Sequence, residues 1–237
     1  KLPAMADGVH VLTFAAEDLA GNIQTSSRTL VVDTTAPALA QILSITPDTG
    51  ASDSDSITNA ANVELAGTVE ANAQLKVFVQ GKLVATTTAD AQGVWKQTIA
   101  LAAEAKYTVD VQSIDAAGNN SKTSGGLIIT HDTKAPNAPL VASLSPDTGA
   151  SAIDGITSAN QPTITGTAEA NAWINLVFTQ GTQTISGKTQ ASATGTWSFQ
   201  PSNGLNDGIW QVSITADDTA GNRSAATQRG FTIDTIA

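Results

Sequence analysis

One short motif recurs three times along the chain and defines its organisation. The motif is Asp-x-Ala-Gly-Asn, and its copies begin at Asp18, Asp115 and Asp218, which are 97 and 103 residues apart. A second motif, Pro-Asp-Thr-Gly, begins at Pro47 and again at Pro146, 99 residues later. Recurrence at a fixed period indicates an array of similar structural units. We predict two complete repeats, residues 38–136 and 137–237, preceded by the C-terminal part of another repeat, residues 1–37.

The residues within each repeat favour short β-strands. Apolar and polar residues alternate with period two in segments such as Gln74–Val79 and Tyr107–Gln112, and Gly-, Asn- and Asp-rich turns separate these segments. About seven short strands in about 100 residues is typical of an immunoglobulin-like sandwich. We therefore predict an all-β chain of tandem immunoglobulin-like β-sandwiches, arranged head to tail as an extended rod. Residues 1–37 align with only the last two strands, F and G, of such a sandwich.

Composition excludes several classes of function. The formal net charge is −10, from 11 basic and 21 acidic residues, which argues against non-specific binding of nucleic acid. The chain has no Cys, so disulfides and thiolate metal sites are excluded. No apolar run approaches the roughly 18 residues that suggest a membrane span. No arrangement of Ser, His and Asp is a credible catalytic triad, and no phosphate-binding glycine loop is present, so we predict that the chain is not an enzyme.

Acidic residues concentrate at the predicted ends of the sandwiches. Loops at one end of the first complete repeat carry Asp48, Asp53, Asp55 and Asp132. The facing loops of the next repeat carry Asp217, Asp218 and Glu169, and Glu70 is the counterpart of Glu169. Carboxylates at this density repel one another unless a cation neutralises them. Because every predicted ligand is a hard oxygen donor, the sequence predicts Ca²⁺. The alternative interpretation is that Asp, Asn and Gly are simply good turn residues.

The repeats differ in their acids. Glu17 and Asp217 precede the turn aspartate in two copies of the first motif, whereas the middle copy has Ile114. Ala152 stands where the first complete repeat has Asp53. We therefore expect weaker Ca²⁺ binding at the junction onto the first complete repeat than at the junction between the two complete repeats.

The motifs and their order along the chain resemble those of a known protein family. Val-Asp-Thr-Thr-Ala-Pro (residues 32–37), Ser-Pro-Asp-Thr-Gly (145–149) with Asp-Gly-Ile-Thr (154–157), and Gly-Thr-Ala-Glu (166–169) are similar to bacterial Ig-like domains of giant type I-secreted adhesins. The resemblance implies a Ca²⁺-stiffened stalk of a secreted or cell-surface adhesin. Its implied partners are neighbouring repeats of the same chain, and a host-surface glycan or receptor reached through other parts of the protein. The implied ligands are Asp33, Asp48, Asp55, Asp115, Asp132, Asp147, Asp154, Asp218 and Asp234.

The tryptophans support one further hypothesis. Trp95 and Trp197 occupy equivalent positions and are predicted to lie in the core. Trp173 replaces Gln74 of the other repeat, so it is predicted to lie outside the deep core and to pack at an interface or against a sugar ring. A carbohydrate-binding module, or an accessory Ig-like module of a secreted protein, is therefore the alternative function.

Overall fold

Every regular element of the structure is a β-strand. This computed structural model describes residues 4–236, and within them it has eighteen strands and no helix. The chain divides into two compact units. The first consists of Lys1–Thr46, Glu64–Ile99 and Tyr107–Ile128, and the second consists of Pro47–Val63, Ala100–Lys106 and Ile129–Ala237. The all-β prediction is confirmed.

A two-stranded antiparallel hairpin comes first. Its strands are β1 (Gly8–Glu17) and β2 (Ile23–Val32), and they pair from Gly8 opposite Val32 to Glu17 opposite Ile23. The residues between them, 18–22, are the first copy of the Asp-x-Ala-Gly-Asn motif, whose glycine has the positive φ that this tight connection requires.

Eight strands follow before residue 137, in two sheets. They are β3 (Gln41–Thr46), β4 (Ile57–Thr58), β5 (Asn62–Thr68), β6 (Gln74–Val79), β7 (Lys82–Thr88), β8 (Val94–Ala100), β9 (Ala105–Ile114) and β10 (Leu127–His131). The order in one sheet is β3-β5-β8, and the order in the other is β4-β10-β9-β6-β7. The alternating segments predicted from the sequence, Gln74–Val79 and Tyr107–Gln112, lie in β6 and β9, whereas β4 and β7 have no such pattern. β4 has only two residues and pairs parallel to β10, and β7 is an edge strand with mostly exposed side chains.

The last hundred residues repeat this arrangement. Their strands are β11 (Leu140–Ser145), β12 (Ile156–Thr157), β13 (Thr163–Thr167), β14 (Trp173–Gln180), β15 (Gln183–Gln190), β16 (Thr196–Phe199), β17 (Gly208–Asp217) and β18 (Thr227–Ile233). The sheets are β11-β13-β16 and β12-β18-β17-β14-β15. Two sheets of three and five strands with this order form an immunoglobulin-like sandwich.

Alternation along the strands builds each core. In β14, Ile174, Leu176 and Phe178 are fully buried, while the residues between them are only partly buried. Trp95 and Trp197 are 1% and 3% exposed, so their predicted core position is confirmed. Each indole packs flat over a glycine of the neighbouring strand, because a Cβ there would lie 2.7 Å from the Trp95 ring at Gly67 and 2.5 Å from the Trp197 ring at Gly166.

This packing predicts the effect of adding one methyl group. Gly67→Ala places a Cβ 1.9 Å from the Gln41 carbonyl oxygen as well as against Trp95. We expect overpacking to lower the free energy of unfolding by about 1–3 kcal/mol. Urea titration followed by the NMR signals of β5 and β9 measures it. Gly125→Ala is the matched control, because a Cβ there meets nothing within 4 Å. Equal stability of the two variants would show that the Trp95–Gly67 contact does not constrain the core.

Candidate metal centre

The loop between β3 and β4 folds around the Asp48 carboxylate. Oδ2 of Asp48 accepts a hydrogen bond from the main-chain N–H of Ser56 at 2.9 Å. At the end of the loop, the Thr58 hydroxyl donates to the Pro47 carbonyl oxygen at 3.0 Å. Asp55 caps the start of β4, where its Oδ1 accepts from the Ile57 N–H at 3.0 Å. These bonds draw together the two ends of a loop that carries three aspartates.

The second oxygen of Asp48 is left without a partner. Oδ1 is buried and accepts no hydrogen bond. Burial raises the pKa of the Asp48 carboxyl above its ordinary value, and the negative charges of Asp55 and Asp53 raise it further. A buried carboxylate oxygen beside two other acids lacks a compensating positive charge. Three aspartates in one loop are oxygen donors of the chemical type that suits Ca²⁺.

The same arrangement recurs between β11 and β12. Oδ2 of Asp147 accepts from the Gly155 N–H at 3.0 Å, and Oδ1 of Asp154 accepts from the Ile156 N–H at 3.1 Å. Oδ1 of Asp147 is again buried without a hydrogen-bond partner. The difference is Ala152, which stands where the first loop has Asp53, so this loop contains two predicted ligands instead of three.

The aspartates of the Asp-x-Ala-Gly-Asn motif are used within their own turns. Oδ1 of Asp115 accepts from the main-chain N–H groups of Ala117 and Asn119, both at 2.9 Å, and Oδ2 accepts from the Asn119 side-chain amide at 2.8 Å. In the other two copies, Asp18 and Asp218 also accept from the main-chain N–H and the side-chain amide of the Asn four residues later. The hydrogen bond from the Asn119 side-chain amide is the main cause that lowers the pKa of Asp115. These contacts are what the turn-residue interpretation expects.

Asp217 is neutralised by a neighbouring side chain. Arg223 donates from Nε to Oδ1 at 2.7 Å and from Nη2 to Oδ2 at 2.9 Å. The Asn175 amide also donates to Oδ2, at 2.9 Å. The hydrogen bond from Arg223 is the main cause that lowers the pKa of Asp217. This bidentate ion pair supplies the positive charge that the sequence prediction assigns to a metal ion.

The remaining predicted ligands also have protein partners or lie exposed. An aspartate directly follows each of β2, β10 and β18, and it accepts a hydrogen bond from the main-chain N–H two residues later. The pairs are Asp33 with Thr35, Asp132 with Lys134 and Asp234 with Ile236. Glu70 accepts from the Ala38 N–H at 2.9 Å, whereas Glu169 is exposed. Asn119 and Asn222 donate from their side-chain amides to the main-chain carbonyl oxygens of Asp33 and Asp132, at 3.0 and 2.9 Å.

These local bonds explain why the acids do not form one dense cluster. The sequence predicts a dense group of carboxylates where the ends of successive repeats face each other. Within residues 4–236, no group of three or more His, Asp or Glu side chains is arranged to hold a metal ion. Hydrogen bonds inside turns and the pairing with Arg223 could not be deduced from topology, which gives only the end of the sandwich at which a loop lies.

Trp173 and His131, two side chains at strand ends, have ordinary protein contacts. Trp173 is partly buried at the start of β14, outside the deep core as predicted, and the Lys188 ammonium lies 4.3 Å from its ring centroid. This cation–π contact covers a ring face that a sugar would need. His131 ends β10, is 5% exposed, and its Nδ1 lies 3.0 Å from the Ala103 carbonyl oxygen. In the described part of the chain, no helix is long and apolar enough to cross a membrane.

Comparison with known proteins identifies the family. Residues 35–133 and 135–235 each match the bacterial Ig-like domain, whereas no curated protein matches the chain. Among solved structures, the chain is similar to a Ca²⁺-stabilised adhesin that helps an Antarctic bacterium bind ice, with 22% identity over 95% of this chain and a TM-score of 0.45. The chain spans 57% of that structure's length.

Two further structures have the same general likeness. A 1.5-MDa bacterial ice-binding adhesin is 22% identical, with 96% of this chain and 74% of the other covered and a TM-score of 0.44. The fibronectin(III)-like modules of Clostridium thermocellum CbhA are 16% identical, with 82% and 94% covered and a TM-score of 0.49. The two family matches together cover most of the sequence, and the chain therefore belongs to the bacterial Ig-like domain family.

Proposed function

We propose that this chain is a non-enzymatic, Ca²⁺-binding stalk segment of a bacterial adhesin that acts in adhesion to host cells or other surfaces. Buried Oδ1 of Asp48, which has no hydrogen-bond partner and lies in a loop with Asp53 and Asp55, is the observation that carries the calcium part of the proposal. The recurrence of the same orphaned oxygen at Asp147 supports it. The tandem family matches and the motif resemblance support the adhesin part.

The proposed ligands are a subset of the thirteen acids predicted from the sequence. In the first loop they are Asp48, Asp53 and Asp55, and in the second they are Asp147 and Asp154, with main-chain carbonyls and water completing each shell. Bound Ca²⁺ supplies positive charge to a desolvated carboxylate and reduces repulsion within the loop. Extracellular modules of this kind bind Ca²⁺ with dissociation constants of about 10⁻⁴ to 10⁻³ M. The loop therefore fills outside the cell and empties where Ca²⁺ is scarce.

The first loop belongs to the same compact unit as the second complete repeat. Fixing it with a cation would stiffen the segment around residues 47–63.

We propose that residues 38–136 and 137–237 are the two complete repeats and that residues 1–37 are the last two strands of another. We also propose that the protein is displayed on the cell surface or secreted by a type I pathway.

Removing the Asp48 charge should separate metal binding from folding. In the metal-free protein, Asp48→Asn removes a negative charge that burial and the charges of Asp55 and Asp53 disfavour. We expect the melting temperature without Ca²⁺ to rise by about 1–3 °C, since about 1 kcal/mol shifts Tm by 2–4 °C in a chain of this size. In an NMR titration of the same variant, the Ca²⁺-induced shifts of the Ser56 and Ile57 amides should disappear.

The matched control for this experiment is Asp90→Asn. Oδ1 of Asp90 accepts from the main-chain N–H groups of Gln92 and Val94, and an asparagine oxygen keeps both bonds. The control should leave Ca²⁺ binding by the first loop unchanged. Ca²⁺-induced shifts at Ser56 and Ile57 that persist in Asp48→Asn would overturn the proposed site.

The two loops should differ in affinity. The first loop has three aspartates, whereas Ala152 leaves the second with two, and each additional carboxylate strengthens attraction for a divalent cation. In one NMR titration with Ca²⁺, the amides of Ser56 and Ile57 should approach saturation at a lower concentration than those of Gly155 and Ile156. Replacing Asp53 with Ala should bring the two midpoints together. A second loop that saturates first would contradict the ligand assignment.

A further inference from the structure

The loop that joins β16 to β17 is longer than its counterpart in the first complete repeat. Leu101 and Leu205 are equivalent, because both are buried and both donate their main-chain N–H to a main-chain oxygen at 2.8 Å. Leu101 lies six positions after Trp95, whereas Leu205 lies eight positions after Trp197. The second repeat therefore has two additional residues here, and the sequence of residues 202–204 is Ser-Asn-Gly.

Protein contacts hold this loop on both sides of Asn203. The Gln161 side-chain amide donates to the main-chain oxygen of Ser202 at 3.0 Å. On the other side, Gly204 packs against Asn160, because a Cβ on Gly204 would lie 2.8 Å from Asn160 Nδ2. Asn203 is exposed to solvent between these two contacts. Among residues 4–236, no hydrogen bond involves its side chain or the main-chain N–H of Gly204.

An asparagine in this setting is chemically reactive. Asn is among the thermolabile residue types. The Cγ of its side chain can be attacked by the main-chain nitrogen of the next residue, and a glycine there hinders the attack least, because it has no Cβ and the most backbone freedom. Asn203-Gly204 is the only Asn-Gly pair among the thirteen asparagines of the sequence.

Several other asparagines lack a free attacking group. The main-chain N–H of the next residue is already hydrogen-bonded after Asn59, Asn72, Asn120 and Asn171. After Asn59, for example, the Ala60 N–H donates to the Thr58 hydroxyl oxygen at 3.2 Å. The structure therefore restrains the nucleophile at these positions but leaves it unrestrained after Asn203.

The three Asp-Gly pairs of the sequence could react in the same way, but their carboxylates are held. Oδ1 accepts a main-chain N–H in each pair, from Thr34 at Asp7, from Ile156 at Asp154 and from Thr235 at Asp207. A carboxylate fixed by such a bond is not free to turn toward the nitrogen of the following glycine. Asn203 is thus the residue at which exposure, a following glycine and an unbonded nucleophile coincide.

We propose that Asn203 is a site of spontaneous deamidation, and that hydrogen bonding of the following N–H suppresses the same reaction at Asn59, Asn72, Asn120 and Asn171. The main-chain nitrogen of Gly204 attacks Cγ of Asn203 and forms a new C–N bond. The bond from Cγ to the side-chain nitrogen breaks, and that nitrogen leaves as ammonia with the proton from Gly204. Water then opens the succinimide ring at one of its two carbonyl carbons, which gives aspartate or isoaspartate.

The modification changes the charge and the geometry of the loop. Either product adds one negative charge, and isoaspartate also adds one methylene group to the main chain. Because Ser202 and Gly204 are held by Gln161 and Asn160, the longer main chain displaces Gly204 from its contact with Asn160. The first complete repeat has no Asn-Gly pair, so only the second repeat acquires this change.

Incubation of the folded chain in mildly alkaline buffer tests the proposal. Digestion and mass spectrometry with electron-transfer fragmentation distinguish asparagine, aspartate and isoaspartate at residue 203. A synthetic peptide with the sequence of residues 200–206, incubated alongside, gives the rate without tertiary structure. We expect the half-life of Asn203 in the folded chain to lie within about threefold of that in the peptide, because no hydrogen bond raises the barrier. Asn203→Gln should lose the reaction, because its longer side chain must form a larger ring.

The matched control is Ala60→Gly, which places a glycine after Asn59, where the following N–H is hydrogen-bonded. In the folded variant, Asn59 should deamidate about tenfold more slowly than Asn203, and the two should react at similar rates in urea. An Asn203 that stays intact while the peptide is converted would overturn the proposal. Equal rates at Asn59 and Asn203 in the folded variant would also overturn it, because hydrogen bonding of the N–H would then not control the reaction.

Discussion

The structure of the loop between β3 and β4 depends on Asp48, one of whose carboxylate oxygens is hydrogen-bonded while the other is buried without a partner. Asp48 holds its loop closed by accepting from the Ser56 N–H, and this requires the side chain to turn inward. Turning inward buries the other oxygen, which finds no donor among the described residues. The fold therefore creates an electrostatic cost at the place where it fixes the loop. Under the proposed function, a cation at Oδ1 would remove that cost and leave the hydrogen bond from Ser56 in place.

Other aspartates of the chain have their negative charge stabilised by neighbouring protein groups. Asp115 and Asp217 both have lowered pKa values, the first because of the Asn119 amide and the second because of Arg223. Their charges are stabilised by the protein itself. Asp48 is different, since burial and its acidic neighbours raise its pKa. The direction of the pKa shift thus separates Asp115 and Asp217, whose charges the protein stabilises, from Asp48.

Sequence reasoning predicted the architecture because periodicity is a local property. The period-two alternation in β6 and β9 and the three copies of one turn motif specify strands and repeats without knowledge of tertiary contacts. The edge strand β7 was missed because its side chains are mostly exposed and carry little alternation. Strand β4 could not be predicted because two residues that pair with a strand distant in the sequence leave no periodic signal.

The candidate site was harder to predict, because a ligand set depends on which oxygens already have partners. The sequence gives no indication that Oδ2 of Asp115 accepts a hydrogen bond from Asn119. By contrast, Arg223 replaces Asn120 of the other repeat, and this difference indicates a cation close to Asp217. The close approach of Gly50 and Gly221 also depends on the tertiary fold, because the two glycines are 171 residues apart in the sequence.

A crystal structure of the chain grown with Ca²⁺, with anomalous scattering used to locate the ion, tests the central claim most directly. The account predicts an anomalous peak at about 2.3–2.6 Å from Oδ1 of Asp48, the usual distance between Ca²⁺ and a carboxylate oxygen, with Asp55 and Asp53 in the same shell. A well-ordered loop in which Oδ1 of Asp48 is bonded to a water molecule or is protonated, with no ion present, would contradict it.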